Sequence, residues 1–190
     1  YDNQSVAWDQ LAYTSPYYLM VTSAGNSGAD SYTGGLAAGY DKLTQEKNAK
    51  NNLVVANANP FVLPNGTVAL FPINSSSSQG PSDDGRIKPD ITGDGTNLLS
   101  TYNSGTSPTT SYATLSGTSM ASPNVAGGSL LLQQYYNQLN SSFMRASTLK
   151  GLVCHTARDG GTTGPDPKYG WGMLDAKKAA QVISGASANP

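Results

Sequence analysis

The sequence predicts an α/β fold with a mostly parallel sheet. Two short apolar runs, at 17–21 and 53–58, are bounded by turn residues and are typical of strands buried on both faces. A long apolar segment after Pro123 is typical of a helix packed against such a sheet. We find no internal repeat and no internal domain boundary, so the 190 residues are expected to lie within one domain.

The composition argues against several classes of partner. Only 12% of the residues are charged and the net charge is −1, so the basic surplus of a nucleic-acid binder is absent. The same balance gives no reason to expect a membrane surface as partner, and no apolar run approaches the ~20 residues that cross a bilayer. The single cysteine, Cys154, permits no internal disulfide. Because polar sequence follows Tyr1 and no signal peptide is present, we expect a mature, trimmed or excised chain.

The first elements predicted are a short helix at 5–14 and a strand at 17–21, separated by a proline turn. The segment 23–28 then leaves the carboxyl end of the strand, where ligand sites in open α/β sheets lie. Asn26 in this segment has two interpretations. It is either a turn residue in the left-handed region, which asparagine favours, or a side-chain amide donor that faces a site.

In the middle of the chain we expect further strands at 53–58, 67–71 and 96–102, and a loop of four serines at 75–78. A charged connector at 82–90 is interpreted as a solvated loop with local ion pairs. Several acidic residues are interpreted as surface carboxylates, because none lies in a recognisable calcium-binding loop. They are Asp83, Asp84, Asp90, Asp94, Asp159 and Asp166.

Three helices are predicted in the last third of the chain. The first covers 118–138, and its adjacent glycines at 127–128 indicate close packing, since each costs roughly 1 kcal/mol relative to alanine. The second covers 142–155. The third covers 176–184, with Asp175 as its N-cap and Gly185 as its end.

Ser119 lies where small and hydroxylated residues lead into the first of these helices. A hydroxyl there is either an N-cap or a nucleophile that faces the free amides of the helix, and local sequence favours the cap. A nucleophilic serine needs a base, and the only histidine is His155. The order Ser, acid, His of an α/β-hydrolase fails, because no acidic residue lies between Met120 and Cys154. His155 is therefore interpreted as an ordinary helix-end residue.

Two segments carry a family resemblance. The run GTSMASP at 117–123, followed by VAG at 125–127, resembles the nucleophile motif of the subtilisin-like serine proteases, the subtilases. The run VTSAGNSG at 21–28 resembles the segment that supplies their oxyanion-hole asparagine. Further matches, at 78–81, 84–90 and 169–172, extend the resemblance over nearly the whole chain. Asn124 stands where many subtilases have histidine, and GDG stands at 93–95 where many have APG, but neither position is catalytic.

The resemblance implies a three-layer subtilisin-like fold and a secreted or periplasmic endopeptidase acting on peptides or proteins. Ser119 would be the nucleophile, and the Asn26 side chain and the Ser119 backbone N–H would hold the oxyanion. Ser23, Ala24 and Gly25 would line the pocket for the residue before the scissile bond, and Thr118 would support the oxyanion. The chemistry needs no cofactor, and structural calcium is left open.

The family order Asp, His, Ser places two triad members before Tyr1. Residues 1–190 are therefore expected to be the C-terminal portion of one catalytic domain, inactive without the N-terminal part, which is carried on the same or a separate chain. A nicked product, an expressed fragment and a degenerate, non-catalytic relative all stay open. An extracellular carbohydrate-binding module would also suit the 11 tyrosines and two tryptophans, although such modules are usually all-β.

Overall fold

A computed structural model of the chain describes residues 1–31, 40–103, 105 and 111–188. The helices in these residues are α1 (Asn3–Thr14), α2 (Thr118–Asn140), α3 (Ala146–Thr156) and α4 (Ala176–Ala188), with a 3-10 turn at Gln45–Asn48. The strands are β1 (Val21–Ser23), β2 (Leu53–Ala58), β3 (Phe61–Val62), β4 (Val68–Leu70), β5 (Ile91–Asp94), β6 (Leu98–Thr101) and β7 (Tyr112–Leu115).

A parallel sheet of three strands, in the order β1–β2–β5, forms the centre of the described structure. Every residue of β2 is buried, as expected for a mainly apolar strand covered on both faces. Helix α2 packs across all three strands and also against α4. The main core joins Leu53, Val55 and Ile91 of the sheet to Val125 of α2 and Val153 of α3. The predicted α/β class and parallel sheet are confirmed.

Strand β5 was not predicted, because it offers one bulky apolar residue, Ile91, followed by a threonine and a glycine. The glycine is required by the packing. A Cβ on Gly93 would lie 2.7 Å from Cγ2 of Val125 and 2.9 Å from the carbonyl oxygen of Ala121. Helix α2 therefore rests directly on the backbone of β5, and this close approach fixes the start of the helix relative to the end of the strand.

The predicted strand at 17–21 is wrong for its first residues. Tyr17 and Tyr18 are 61% and 57% exposed, and the chain forms strand only from Val21. A turn that follows Pro16 is the reason, since the Tyr18 N–H donates to the carbonyl oxygen of Ser15 at 2.9 Å. Two other predicted strands exist, but as β4 and β6 they lie in separate antiparallel hairpins, β3–β4 and β6–β7, outside the parallel sheet.

The interpretation of the 82–90 connector as solvated is wrong at its end. Lys88 and Asp90 are only 2% and 5% exposed, and Asp166 is also buried, so neither aspartate is a surface carboxylate. The Lys88 Nζ atom lies 2.6 Å from Oδ2 of Asp90, and Lys150 Nζ of α3 lies 2.9 Å from Oδ1. The Val54 N–H also donates to Oδ2, at 2.7 Å. This network links the start of β2, the start of β5 and helix α3.

The ionised form of Lys88 is costly at this depth. Burial lowers its pKa to about 8, although the neighbouring Asp90 carboxylate acts in the opposite direction. The ammonium is also satisfied by Oδ1 of Asn52, at 2.9 Å. The ion pair with Asp90 and the hydrogen bond to Asn52 thus offset the cost of burying the charged Lys88 ammonium inside the protein.

The helix predictions are largely confirmed. The Asp175 carboxylate accepts a hydrogen bond from the Lys178 N–H at 2.9 Å, as the N-cap assignment requires. A Cβ on Gly128 would lie 2.8 Å from Leu174 Cδ2, so this glycine does mark close packing, whereas Gly127 has no atom within 4 Å of such a Cβ. Gly185 does not end the last helix, because α4 continues to Ala188.

Cys154 is expected to be unreactive in the folded chain. Burial, aided by the Asp90 carboxylate, raises the pKa of its thiol to about 12 from 9.0. At pH 8 this lowers the thiolate fraction about a thousand-fold relative to the unfolded chain. Iodoacetamide should therefore modify Cys154 at least a hundred-fold faster in urea than in buffer, as followed by intact mass. Equal rates would show that the folded chain does not raise the pKa of the Cys154 thiol.

Candidate active site

The carboxyl ends of β1 and β5 and the amino end of α2 meet at one edge of the sheet. The Gly117 N–H, just before α2, donates to the carbonyl oxygen of Gly95, just after β5, at 2.8 Å. The Gly25 N–H, just after β1, donates to Oγ1 of Thr118 at 3.1 Å. These contacts bring the predicted residues around Asn26 to the start of the helix that carries Ser119.

Asn26 is held in one orientation by Thr118. Its Oδ1 accepts from the Thr118 backbone N–H and from Thr118 Oγ1, each at 3.0 Å. A backbone N–H can only donate, so the carbonyl end of the amide must face Thr118 and the Nδ2 end must face away. Asn26 is exposed, and its Nδ2 has no acceptor among the described residues. The result is an amide donor held in a fixed orientation, with Nδ2 facing away from the two Thr118 donors.

Ser119 is not the N-cap of α2. That position is occupied by Gly117, which can make no side-chain cap, and Ser119 is exposed within the first turn. Within the part of the chain that the structure describes, neither its hydroxyl nor its backbone N–H has a hydrogen-bond partner. The local interpretation as a cap is therefore wrong. Helix α2, 23 residues long, directs its free N–H groups and the positive end of its dipole toward this edge.

Glycines allow the three segments to approach one another. A Cβ on Gly95 would lie 2.6 Å from both the carbonyl oxygen of Gly117 and Oδ1 of Asn57. Gly117 has a φ of 154°, and its Cβ would lie 3.4 Å from Nδ2 of Asn26. The backbone conformation at Gly117 thus disfavours a side chain, whereas the distance to Asn26 is an ordinary van der Waals contact.

The structure places Ser23, Ala24 and Gly25 beside Asn26, but with different exposure. Ser23 and Gly25 are half-buried, whereas Ala24 is fully buried and packs in a small core with Leu43 and Val54. Ala24 has no exposed surface, so it would support the predicted pocket from within the core rather than contact a ligand. Gly25 has a φ of 105°, in the region that favours glycine.

His155 lies at the opposite end of the sheet. It lines a cavity of about 660 Å³ between α1 and α3, together with Lys50, just before the amino end of β2. The other end of β2 is next to the candidate site, where the Gly95 N–H donates to the carbonyl oxygen of Ala58. A six-residue strand spans about 20 Å. His155 thus cannot reach Ser119, and it is a helix-end residue, as predicted.

Other ionisable groups near the site are few. Asp94 ends β5 half-buried, and desolvation raises the pKa of its carboxyl. In residues 1–31, 40–103, 105 and 111–188, no three histidine, cysteine or acidic side chains are grouped so that they could hold a metal ion.

No helix in the same residues is long and apolar enough to cross a membrane.

Asn57 is a site neighbour that sequence reasoning missed. It is fully buried near the end of β2, where its Oδ1 accepts from Oγ1 of Thr96 at 3.1 Å and its Nδ2 has no partner among the described residues. The sequence did contain a signal for this residue, namely an asparagine inside an apolar run. A buried side-chain amide needs hydrogen-bond partners, so such a residue is often placed by a specific interaction.

A family model described as the subtilase family matches residues 2–172. Among curated proteins, a "Subtilisin-like protease SBT4.4" from Arabidopsis thaliana is 34% identical over an alignment of 113 residues that covers 54% of this chain and 15% of that protein. A "C5a peptidase" from Streptococcus pyogenes serotype M18 (strain MGAS8232) is 34% identical over 149 residues, 74% of this chain and 12% of that protein.

Solved structures share the fold at low identity. The "self-cleaved protease domain of PatA" matches with a TM-score of 0.67 and 20% identity, covering 95% of this chain and 55% of that one. A structure described as a "Lanthipeptide Protease" matches with a TM-score of 0.63 and 20% identity, covering 94% and 55%. The chain thus spans about half of each of these two structures and a small fraction of the two curated relatives.

Proposed function

This chain belongs to the subtilase family, and from that premise we propose that it supplies the nucleophile and the oxyanion hole of a serine endopeptidase. The observation that carries the proposal is the fixed amide of Asn26, whose oxygen is held by Thr118 so that its Nδ2 is free to donate. Ser119 is exposed at the start of α2 on the same edge of the sheet. A fixed donor beside a free hydroxyl is the arrangement that acyl transfer requires.

The proposed reaction begins when Ser119 Oγ attacks the carbonyl carbon of a peptide bond. The electron pair of the carbonyl moves to its oxygen, where Asn26 Nδ2 and the Ser119 backbone N–H stabilise the negative charge. Collapse of this intermediate breaks the C–N bond and leaves an acyl group on Ser119. Water then hydrolyses the ester. The Ser119 proton must pass through a base to the departing amine.

We propose that the base and its acidic partner come from the N-terminal part of the same catalytic domain. His155 lies at the wrong end of the sheet to serve. Strand β1 pairs with β2 on one side only among the described residues, so its other edge can accept a further strand. The matched length supports this, since the chain spans 55% of the PatA protease domain.

The substrate is proposed to be a peptide or protein. Ser23 and Gly25 would form one wall of the pocket for the residue before the scissile bond, with the buried Ala24 packed behind them. Thr118 would support the oxyanion through Asn26. No cofactor is proposed for the chemistry, and calcium bound by three acidic side chains has no site in the described residues. We also propose a secreted location, without a nucleic acid or a membrane as partner. The observed fold counts against a carbohydrate-binding module, since helices and a parallel sheet are unusual in that class.

Peptide turnover tests the proposal. The chain alone should not hydrolyse a chromogenic peptide above background, because no described base reaches Ser119. Addition or fusion of the N-terminal part, carrying its aspartate and histidine, should restore turnover. Ser119→Ala should abolish the restored rate, and His155→Ala should leave it within two-fold.

Two results would count against this mechanism. Turnover by the chain alone that Ser119→Ala removes would show that the base lies in this chain. A well-folded assembly of both parts that shows no turnover on varied peptides would instead favour a degenerate, non-catalytic relative.

A further inference from the structure

We propose that Ser78 is a positioning residue that holds the backbone on both sides of Asn26, and so sets the geometry of the oxyanion hole. The inference rests on the proposed function of Asn26. Ser78 is the last residue of the four-serine loop at 75–78 and the first residue of the segment 78–81 that resembles the family, and the sequence alone gives it no role. It touches neither Ser119 nor the space where a substrate carbonyl would lie, so it would act through Asn26.

Two hydrogen bonds join Ser78 to the neighbours of Asn26. The Ser78 backbone N–H donates to the carbonyl oxygen of Gly25 at 2.8 Å. The Ser78 hydroxyl accepts from the Ser27 backbone N–H at 3.0 Å. One buried residue thus holds the peptide group before Asn26 and the peptide group after it, and Ser78 itself is only 1% exposed.

Asn26 is therefore held both at its backbone and at its side chain. Ser78 holds the backbone, while Thr118 holds the side-chain oxygen through its N–H and hydroxyl. A rigid donor is worth more to an oxyanion than a mobile one, because no reorganisation is needed when charge develops. Loss of the Ser78 hydroxyl should let the Ser27 peptide rotate, and the Asn26 amide would then leave its position against Thr118.

Gly25 packs closely against the hydroxyl of Ser78. Gly25 has a φ of 105°, and a Cβ on it would lie 2.9 Å from Oγ of Ser78. The chain at 25 thus lies against Ser78 with no space for a side chain between them. The position of Ser78 and the backbone conformation of the segment that carries Asn26 therefore depend on each other.

Ser77 offers a matched control in the same loop. It is equally buried, at 1% exposure, and its hydroxyl also accepts a backbone N–H. The donor is the N–H of Asn57 in β2, at 3.1 Å, rather than a residue of the Asn26 segment. Ser77→Ala therefore removes the same kind of bond at the same depth, without touching a neighbour of Asn26.

Amide hydrogen exchange at Thr118 measures the effect without any need for proteolysis, because that N–H is held by Asn26. In Ser78→Ala, exchange at Thr118 should become at least ten-fold faster relative to the core amide of Val55. In Ser77→Ala it should stay within three-fold. If Ser78→Ala does not fold, Ser78→Cys, which keeps a weak acceptor, should still accelerate Thr118 exchange relative to Val55.

The assembled protease gives the second measurement. Ser78→Ala should lower kcat at least ten-fold with KM within two-fold, whereas Ser77→Ala should change kcat less than three-fold. Unchanged Thr118 exchange in the Ser78 variants, or equal effects of the two serine substitutions on both measurements, would overturn the inference. If exchange responds as stated and the assembled protein cleaves nothing, the positioning role of Ser78 stands and the proposed function fails.

Discussion

Asp90→Ala should lower the free energy of unfolding by about 3–5 kcal/mol, the range for removal of one partner from a buried ion pair. Asp90 is 5% exposed and neutralises Lys88, which is 2% exposed. Its carboxylate also accepts from the Val54 N–H and contacts Lys150. Removal of the carboxylate leaves the buried Lys88 ammonium with only the neutral oxygens of Asn52 and no counter-ion, and it leaves the buried Val54 N–H without its acceptor. Urea unfolding, followed by circular dichroism, would measure the loss.

Two control variants separate this mechanism from a general loss of charge. Lys88→Met should cost much less, because Asp90 keeps Lys150 and the Val54 N–H as partners and the buried ammonium is gone. Asp83→Ala, whose side chain is 69% exposed, should change stability by no more than about 0.5 kcal/mol. A loss in Asp90→Ala as small as that in Asp83→Ala would show that the network is not structural.

Asn26→Ala should lower the kcat of the assembled protease about 10²–10³-fold, with little change in KM. The range is the effect of removing one oxyanion-hole donor, and it was itself measured on a subtilisin, a member of this family. The reason is that Nδ2 of Asn26 would bind the oxygen only after it becomes negatively charged, so the ground state loses little. Steady-state kinetics on one peptide substrate would measure both constants.

Asn26→Asp provides the sharper comparison. The aspartate keeps an oxygen for the two Thr118 donors and removes only the NH₂ group that faces away from them. It should lower kcat at least as much as alanine, because a carboxylate also repels the oxyanion. If Asn26→Asp keeps most of the activity, Asn26 does not bind the oxyanion, and the proposed mechanism would need another donor.

Much of the fold follows from local pattern. The mainly apolar run of β2 predicts a strand covered on both faces, and it is buried throughout. The apolar residues after Pro123 predict α2. The pattern fails where burial depends on distant partners. Asp90 becomes internal because Lys150 of α3 and the Val54 N–H reach it, 60 and 36 residues away in the chain, and no local signal marks either contact.

In the candidate site, too, local sequence predicts some features, whereas others depend on residues that are distant in the chain. The strand end followed by a turn places Asn26 at the edge of the sheet where ligands bind, and the helix start places Ser119 there too. The orientation of the amide cannot be predicted locally, because Thr118, 92 residues later, determines which end faces outward. The helix-cap interpretation of Ser119 failed because the chain enters α2 through Gly117, whose φ of 154° shifts the cap to a residue without a side chain.

We propose above all that Ser119 is a nucleophile whose base is not among residues 1–190. Labelling with a fluorophosphonate, located by peptide mass spectrometry, tests it most directly. We expect fast modification at Ser119 alone when the N-terminal part is present, and modification at least a hundred-fold slower in the chain by itself. Fast labelling of Ser119 in the chain alone, or an adduct on another serine in the assembly, would contradict it.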